Sequence, residues 1–174
     1  MTNSSLGEIT GPASVRFVRR LPGPIERVWS YLADSELRGQ WLAPGALAGG
    51  RMELAFRHAD LSPHHEPAPA GFGAGGEPHL LICKVLEMAP PHRLVFTWGD
   101  DMDSVVTFEL TPDGADVLLT VSQTGLKRGD MLSVATGWHT HLAMLVERAE
   151  GRTPVAFWTI WRSLDGVYAG RVAS

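Results

Sequence analysis

Residues 130–151, with the sequence DMLSVATGWHTHLAMLVERAEG, decide the fold class. Apolar residues recur at intervals of three and four along this stretch, which predicts one long amphipathic helix that ends near Gly151. Two adjacent apolar stripes run along the helix, the first with Val134, Trp138, His141 and Leu145, the second with Trp138, Leu142, Leu145 and Ala149. Such stripes must be buried against another layer, which the preceding residues supply.

The residues before this helix show the two-residue periodicity of β-strands. Six strands are predicted, and they are residues Ser14–Arg20, Arg51–Arg57, Leu80–Met88, Arg93–Trp98, Ser104–Leu110 and Ala115–Thr124. Short turns rich in proline, aspartate and glycine separate the last four strands. This close spacing favours an antiparallel meander.

Helical patterns flank the strands. Two short helices are predicted after the first strand; Asp34 or Ser35 can cap the second, which carries Trp41 and ends at Pro44. The tail Pro154–Val172 has enough apolar side chains for one more helix. The order is strand, two short helices, five strands, long helix and further helix, which indicates an α+β fold.

Composition limits the functional classes. The chain has 174 residues, of which 44% are hydrophobic and 20% charged, enough apolar material for one globular core. Its net charge of -4 offers no positive field for nucleic acid, so no nucleic-acid partner is expected. The single cysteine, Cys83, lies in an apolar run, and we find no signal peptide and no membrane span. We therefore expect a cytoplasmic protein.

The segment Asp60–Pro78, here called the proline-rich loop, is rich in proline and glycine and lacks either periodicity. We predict a mobile loop that is weakly tied to the core. Gly71–Gly76 within it has the spacing of a dinucleotide-binding motif, but the strand before it and the helix after it are missing. Its histidines, together with His58 at one end, are predicted to be solvated loop residues without metal-ligand geometry. We therefore predict no cofactor and no metal site.

Five motifs together carry a resemblance to a known family: Pro24–Trp29, Trp41–Pro44, Gly49–Arg51, Pro90–Trp98, and Gly137–Trp138 at a helix start. They resemble the SRPBCC superfamily, the START-like or birch-pollen-allergen fold, and within it most closely the family named after activators of the ninety-kilodalton heat-shock protein ATPase. The resemblance covers roughly Val15 to Gly151. It implies a helix-grip fold, in which a curved antiparallel sheet of about seven strands surrounds the long C-terminal helix.

The resemblance also implies a cavity between sheet and helix that often admits hydrophobic ligands. The seventh strand would lie in the proline-rich loop or come from a split of one predicted strand. Residues 13–151 would form the START-like helix-grip domain, and residues 152–174 a helical extension packed on it.

Six residues are candidates for contact with a ligand in such a cavity, and they are Trp41, Phe56, Trp98, Trp138, His141 and Leu145. Core packing alone would also explain the large aromatic side chains. His141 is the polar member of the helix stripe, and it could supply an orienting hydrogen bond or a proton. A core histidine bonded to a backbone carbonyl is the alternative.

Three functions follow as hypotheses. The favoured one is a non-enzymatic module that binds an apolar small molecule of the lipid, aromatic or polyketide-like kind. The second is an enzyme of the polyketide cyclase or dehydratase kind that uses His141 with an acidic or hydroxyl partner, although no catalytic residue is assigned. The third is a chaperone-associated interaction module, which needs a large exposed apolar patch. A homodimer is left open.

Overall fold

Eight strands form one antiparallel sheet in the computed structural model, which describes residues 3–72 and 79–172. The strands are β1 (Glu8–Gly11), β2 (Ser14–Pro22), β3 (Leu47–Ala48), β4 (Arg51–Phe56), β5 (His79–Ala89), β6 (Arg93–Trp98), β7 (Asp101–Asp113) and β8 (Asp116–Thr124). They lie in the order β1-β2-β8-β7-β6-β5-β4-β3. The helices are α1 (Ile25–Ala33), α2 (Ser35–Arg38), α3 (Met131–Ala149) and α4 (Phe157–Val172).

The long helix α3 lies on the inner face of this open, curved sheet. Side chains of β2 alternate between buried residues such as Phe17 and exposed residues such as Arg16, as the two-residue periodicity predicts. Most of α3 is buried, including Leu142 and Leu145. The predicted α+β helix-grip fold, with two short helices after the strand Ser14–Pro22 and an extra C-terminal helix, is confirmed.

Two strands were not predicted from the sequence. β1 lies where the sequence indicated a polar leader, and β3 has two residues. Both are too short to show a periodicity, and their neighbours define them: Ile9 pairs with Val15, and Leu47 pairs with Met52. The expected seventh strand in the proline-rich loop is absent from residues 60–72, and no predicted strand is split; residues 73–78 lie outside the described residues.

The helix α2 ends earlier than its sequence suggests. Asp34 caps it as predicted, since its side chain accepts a backbone N–H at 3.0 Å. The buried Arg38 then ends it, because its guanidinium donates to the carbonyl oxygens of Leu32 and Ala43, both at 3.1 Å. The chain turns around this side chain instead of continuing as a helix to Pro44.

The described part of the proline-rich loop is tied to the beginning of α4, contrary to the prediction of weak attachment. The Ser62 hydroxyl donates to the carbonyl oxygen of Pro154 at 2.6 Å. The Glu66 carboxylate accepts from the Thr159 hydroxyl at 2.9 Å and from the Arg162 guanidinium at 2.8 Å. Composition indicated the irregular backbone of this segment but could not indicate these distant partners.

The C-terminal helix α4 packs on α3, so the apolar side chains of the tail cover part of α3. The contact includes a hydrogen bond of 2.7 Å between the Tyr168 hydroxyl on α4 and His139 on α3. The division into a domain over residues 13–151 and an extension over residues 152–174 stays a prediction, and residues 173–174 lie outside the described residues. No helix in the described ranges is long and apolar enough to cross a membrane.

Candidate functional site

A cavity of about 500 Å³ lies between the inner face of the sheet, α3 and the first turns of α4. Its described lining residues are Leu42, Phe56, His58, Phe72, His79, Leu81, Trp98, Gln123, Ser133, Val134, Gly137, Trp138, His141, Phe157 and Trp161. This volume falls in the range of small-molecule sites, about 300 to 1,000 Å³. Residues 73–78, which connect Phe72 to His79, lie outside the described residues.

Aromatic rings make up most of the wall. Phe56 at the end of β4 packs on Trp98 at the end of β6, with ring centroids 5.9 Å apart. Trp98 in turn lies 5.7 Å from Trp138 of α3. On the other side, Phe72 of the proline-rich loop packs on Trp161 of α4 at 5.1 Å. Rings from β4, β6, α3, α4 and the proline-rich loop therefore surround one space.

His141 is held in one orientation by the backbone. Its Nδ1 lies 2.8 Å from the carbonyl oxygen of Trp41. A carbonyl oxygen can only accept, so in the neutral ring Nδ1 carries the proton and Nε2 does not. Burial and, to a smaller extent, the neighbouring His58 lower the pKa of His141 to about 3. The hydrogen bond to Trp41 raises the pKa by less than these two causes lower it. The ring is therefore neutral at physiological pH.

His58 joins this site, and its prediction as a solvated loop residue is wrong. The ring centroid of His58 lies 5.5 Å from that of His141 and 4.2 Å from that of Phe157. Burial lowers its pKa to about 4. The sequence held only a weak signal, because His58 follows Phe56 by two residues just beyond the end of β4.

Gln123 is a second residue that the sequence analysis missed. It is buried on β8, where its Oε1 accepts the indole N–H of Trp138 at 2.7 Å and its Nε2 donates to the Ser104 hydroxyl at 3.0 Å. This chain of hydrogen bonds fixes the plane of the indole ring. The available signal was a polar residue at the inward position that follows Leu119 and Val121 in the alternation.

The six predicted ligand-contact residues divide into two groups. Four of them line the cavity, namely Phe56, Trp98, Trp138 and His141. Trp41 and Leu145 are buried in the core outside this lining. The Trp41 indole donates to the Tyr31 carbonyl at 2.8 Å, so Trp41 contributes to the site through its own carbonyl oxygen, which holds His141. Contact of these residues with a ligand stays a prediction.

The lining carries no charged side chain among the described residues: it contains no aspartate, glutamate, lysine or arginine. Its polar side-chain atoms belong to histidine, glutamine and serine and to the indole N–H groups of tryptophan. In the two described ranges, 3–72 and 79–172, no group of three or more His, Cys, Asp or Glu side chains is arranged to hold a metal ion. The site can therefore offer apolar surface and a few neutral hydrogen-bonding groups.

The family model for Activator of Hsp90 ATPase homolog 1-like protein matches residues 22–150, most of the sheet and the whole of α3. The chain belongs to this family. The family resemblance inferred from the sequence motifs is thereby confirmed. Membership of this family, within the SRPBCC superfamily, supports a ligand-binding module in general terms.

Solved structures share this architecture. The solution structure of the protein encoded by gene BPP1335 of Bordetella parapertussis is 40% identical, covers 98% of this chain and 95% of that chain, and has a TM-score of 0.79. CalU16 from Micromonospora echinospora is 21% identical over 92% of this chain and 89% of that chain, with a TM-score of 0.65. At 21% sequence identity, this similarity shows only that the two proteins share a fold. No curated protein matches the chain significantly.

Proposed function

We propose that the protein binds an uncharged, apolar small molecule with an aromatic framework inside the cavity between the sheet and α3. The observation that carries this proposal is a space of about 500 Å³ whose wall is mostly aromatic and carries no charged side chain among its described residues. Burial of apolar surface contributes about 25 cal/mol per Å², so an enclosed apolar ligand gains affinity from the walls themselves. The partner is therefore a small molecule.

The second candidate, an enzyme of the polyketide cyclase or dehydratase kind, is favoured by the neighbouring His58 and His141. A general base works best when its pKa is near the working pH. Burial lowers the pKa of His58 to about 4 and that of His141 to about 3, which makes both rings weak bases. No carboxylate among the described lining residues could hold an imidazolium ion. Binding without catalysis is the better-supported function.

The third candidate, a chaperone-associated module, is favoured by exposed apolar side chains on β5. Leu80, Ile82, Leu86 and Met88 are each more than a third exposed. Lys84 lies between Ile82 and Leu86 in the same exposed row, so the apolar side chains form an interrupted stripe. A small-molecule site has the larger structural support, because its apolar surface is concave and continuous.

Filling the cavity tests the proposal. Gly137 lies on α3 in the cavity wall, and a Cβ there would meet the Trp161 ring at 3.6 Å, an ordinary contact. The further atoms of a leucine would then occupy the cavity. We expect Gly137→Leu to weaken the binding of naphthalene, measured by isothermal titration calorimetry, by about tenfold or more, since a clash or lost ring contact is worth about 1.4 kcal/mol or more.

The matched control is Gly166→Leu, an identical change at an exposed helical glycine of α4 with open space around it. Both changes raise helix propensity, but only the first reaches the cavity. Gly166→Leu should bind naphthalene as the parent protein does. If the parent protein binds no naphthalene, or if both variants bind it equally well, the proposal fails.

A further inference from the structure

His141 offers an acceptor nitrogen at the cavity wall. Because His141 Nδ1 donates to the Trp41 carbonyl at 2.8 Å, the lone pair for accepting a hydrogen bond lies on Nε2. In the described part of the chain, His141 makes no hydrogen bond through Nε2. Nε2 is therefore an acceptor that a hydrogen-bond donor on a ligand in the cavity can use.

Aromatic rings surround this acceptor. The Phe157 ring lies 4.9 Å from the His141 ring, and the Phe56 ring lies 5.9 Å away with its edge toward it. These rings make the surroundings of the acceptor apolar, and a hydrogen bond in such an environment is stronger than in water. A donor attached to a flat ring fits both features at once.

Charge on the ligand is disfavoured. No described lining residue is a lysine or arginine that could neutralise an anion, and none is an aspartate or glutamate that could neutralise a cation. Burial lowers the pKa values of His141 and His58 to about 3 and about 4, so neither ring supplies a positive charge at neutral pH. An ion in this cavity would lose its hydration without compensation.

We infer that the ligand of this cavity is an uncharged aromatic hydroxyl compound of the phenol class, whose O–H donates to His141 Nε2 while its rings contact the aromatic wall. This inference rests on the proposed function and specifies the chemistry of its ligand. His141 is then a specificity-determining residue.

Three two-ring probes test it at pH 7 by isothermal titration calorimetry. Naphthalene has the apolar framework, 1-naphthol adds a donor, and 1-methoxynaphthalene adds an oxygen that cannot donate. We expect 1-naphthol to bind about five- to tenfold more tightly than 1-methoxynaphthalene, the effect of one neutral hydrogen bond. In His141→Phe this ratio should fall to about one, while naphthalene still binds.

The matched control is His139→Phe, the same change on the same helix at a residue outside the cavity lining. It should keep the preference for 1-naphthol. If the parent protein binds naphthalene but binds 1-naphthol no more tightly than 1-methoxynaphthalene, the inference is overturned and the proposed function stands. If naphthalene itself does not bind, the proposed function fails. The ratio in the parent protein decides the inference even if His141→Phe does not fold.

Discussion

Two histidines that are two residues apart on α3 lie in opposite environments. His139 belongs to what we call the packed region, formed by Phe17, Arg19, His139 and Tyr168, where its Nδ1 bonds to the Tyr168 hydroxyl at 2.7 Å. It also borders a second pocket, whose lining includes the charged residues Glu147 and Arg152. His141 belongs to the cavity region, where Nδ1 bonds to a backbone carbonyl and Nε2 has no partner among the described residues. Two residues along an α-helix turn the side chain by about 200°, so the two rings meet different neighbours.

The difference shows what distinguishes a structural histidine from a candidate ligand contact. In the packed region the Tyr168 hydroxyl also accepts the backbone N–H of Gly7 at 2.8 Å, so three groups satisfy one another. Each of the two rings has one hydrogen-bond partner, at Nδ1, among the described residues, so what separates them is the aromatic cavity that His141 lines.

An unpartnered buried atom alone does not indicate a ligand site. Arg19 is 1% exposed, and its Nε and Nη2 have no hydrogen-bond partner in the described part of the chain. Burial lowers its pKa. Arg19 lies on β2 outside the cavity lining, whereas His141 forms part of that lining. The adjoining space is therefore the feature that separates the two.

Acid should weaken both regions, and this is the largest effect that we expect. Burial lowers the pKa values of His58 and His139 to about 4 and of His141 to about 3, so the unfolded chain binds protons below pH 6.5 that the folded chain does not. The free energy of unfolding is therefore highest above about pH 6.5 and falls as the pH drops below that value. From pH 7 to pH 5 we expect a loss on the order of 2 kcal/mol for each histidine, measured by urea denaturation.

The two regions can be separated in this experiment. His139→Phe should remove about a third of the pH dependence and leave the part that comes from the cavity region. Equal free energies of unfolding at pH 5 and pH 7 in the parent protein would contradict the neutral burial of these rings.

Truncating one phenylalanine in each region should give unequal losses. Phe17 is 1% exposed in the packed region, so Phe17→Ala should cost about 3 to 5 kcal/mol in a urea titration. Phe56 is only partly buried and borders the cavity, so Phe56→Ala should cost less than about 2 kcal/mol. Equal losses would mean that the cavity wall is as tightly packed as the core.

Removing one hydroxyl should weaken the packed region less than removing the Phe17 ring does. Tyr168→Phe leaves the ring in place but leaves the Gly7 N–H and His139 Nδ1 without their partner. We expect a loss of about 1 to 3 kcal/mol in the free energy of unfolding. In the background of His139→Phe the same change should cost less, because one of the two groups is already gone. An unchanged stability would show that water replaces the hydroxyl.

The sequence predicted the elements whose pattern is long and local. The stripes of α3, the alternation of β2, β4 and β8, and the turns between β5 and β8 follow from the spacing of residues near one another in the chain. These patterns also placed His141 and Trp138 on the face of α3 that meets the sheet. Four of the six candidate residues reach the cavity wall for this reason.

Tertiary structure decided the features that depend on distant partners. β1 and β3 exist because neighbouring strands pair with them, and α2 ends where Arg38 binds carbonyl groups further along the chain. The proline-rich loop is held by α4 through Glu66, and His58 is partly buried against Phe157. Periodicity determines which face a side chain occupies, but only the folded chain determines what lies opposite that face and whether the space there is filled.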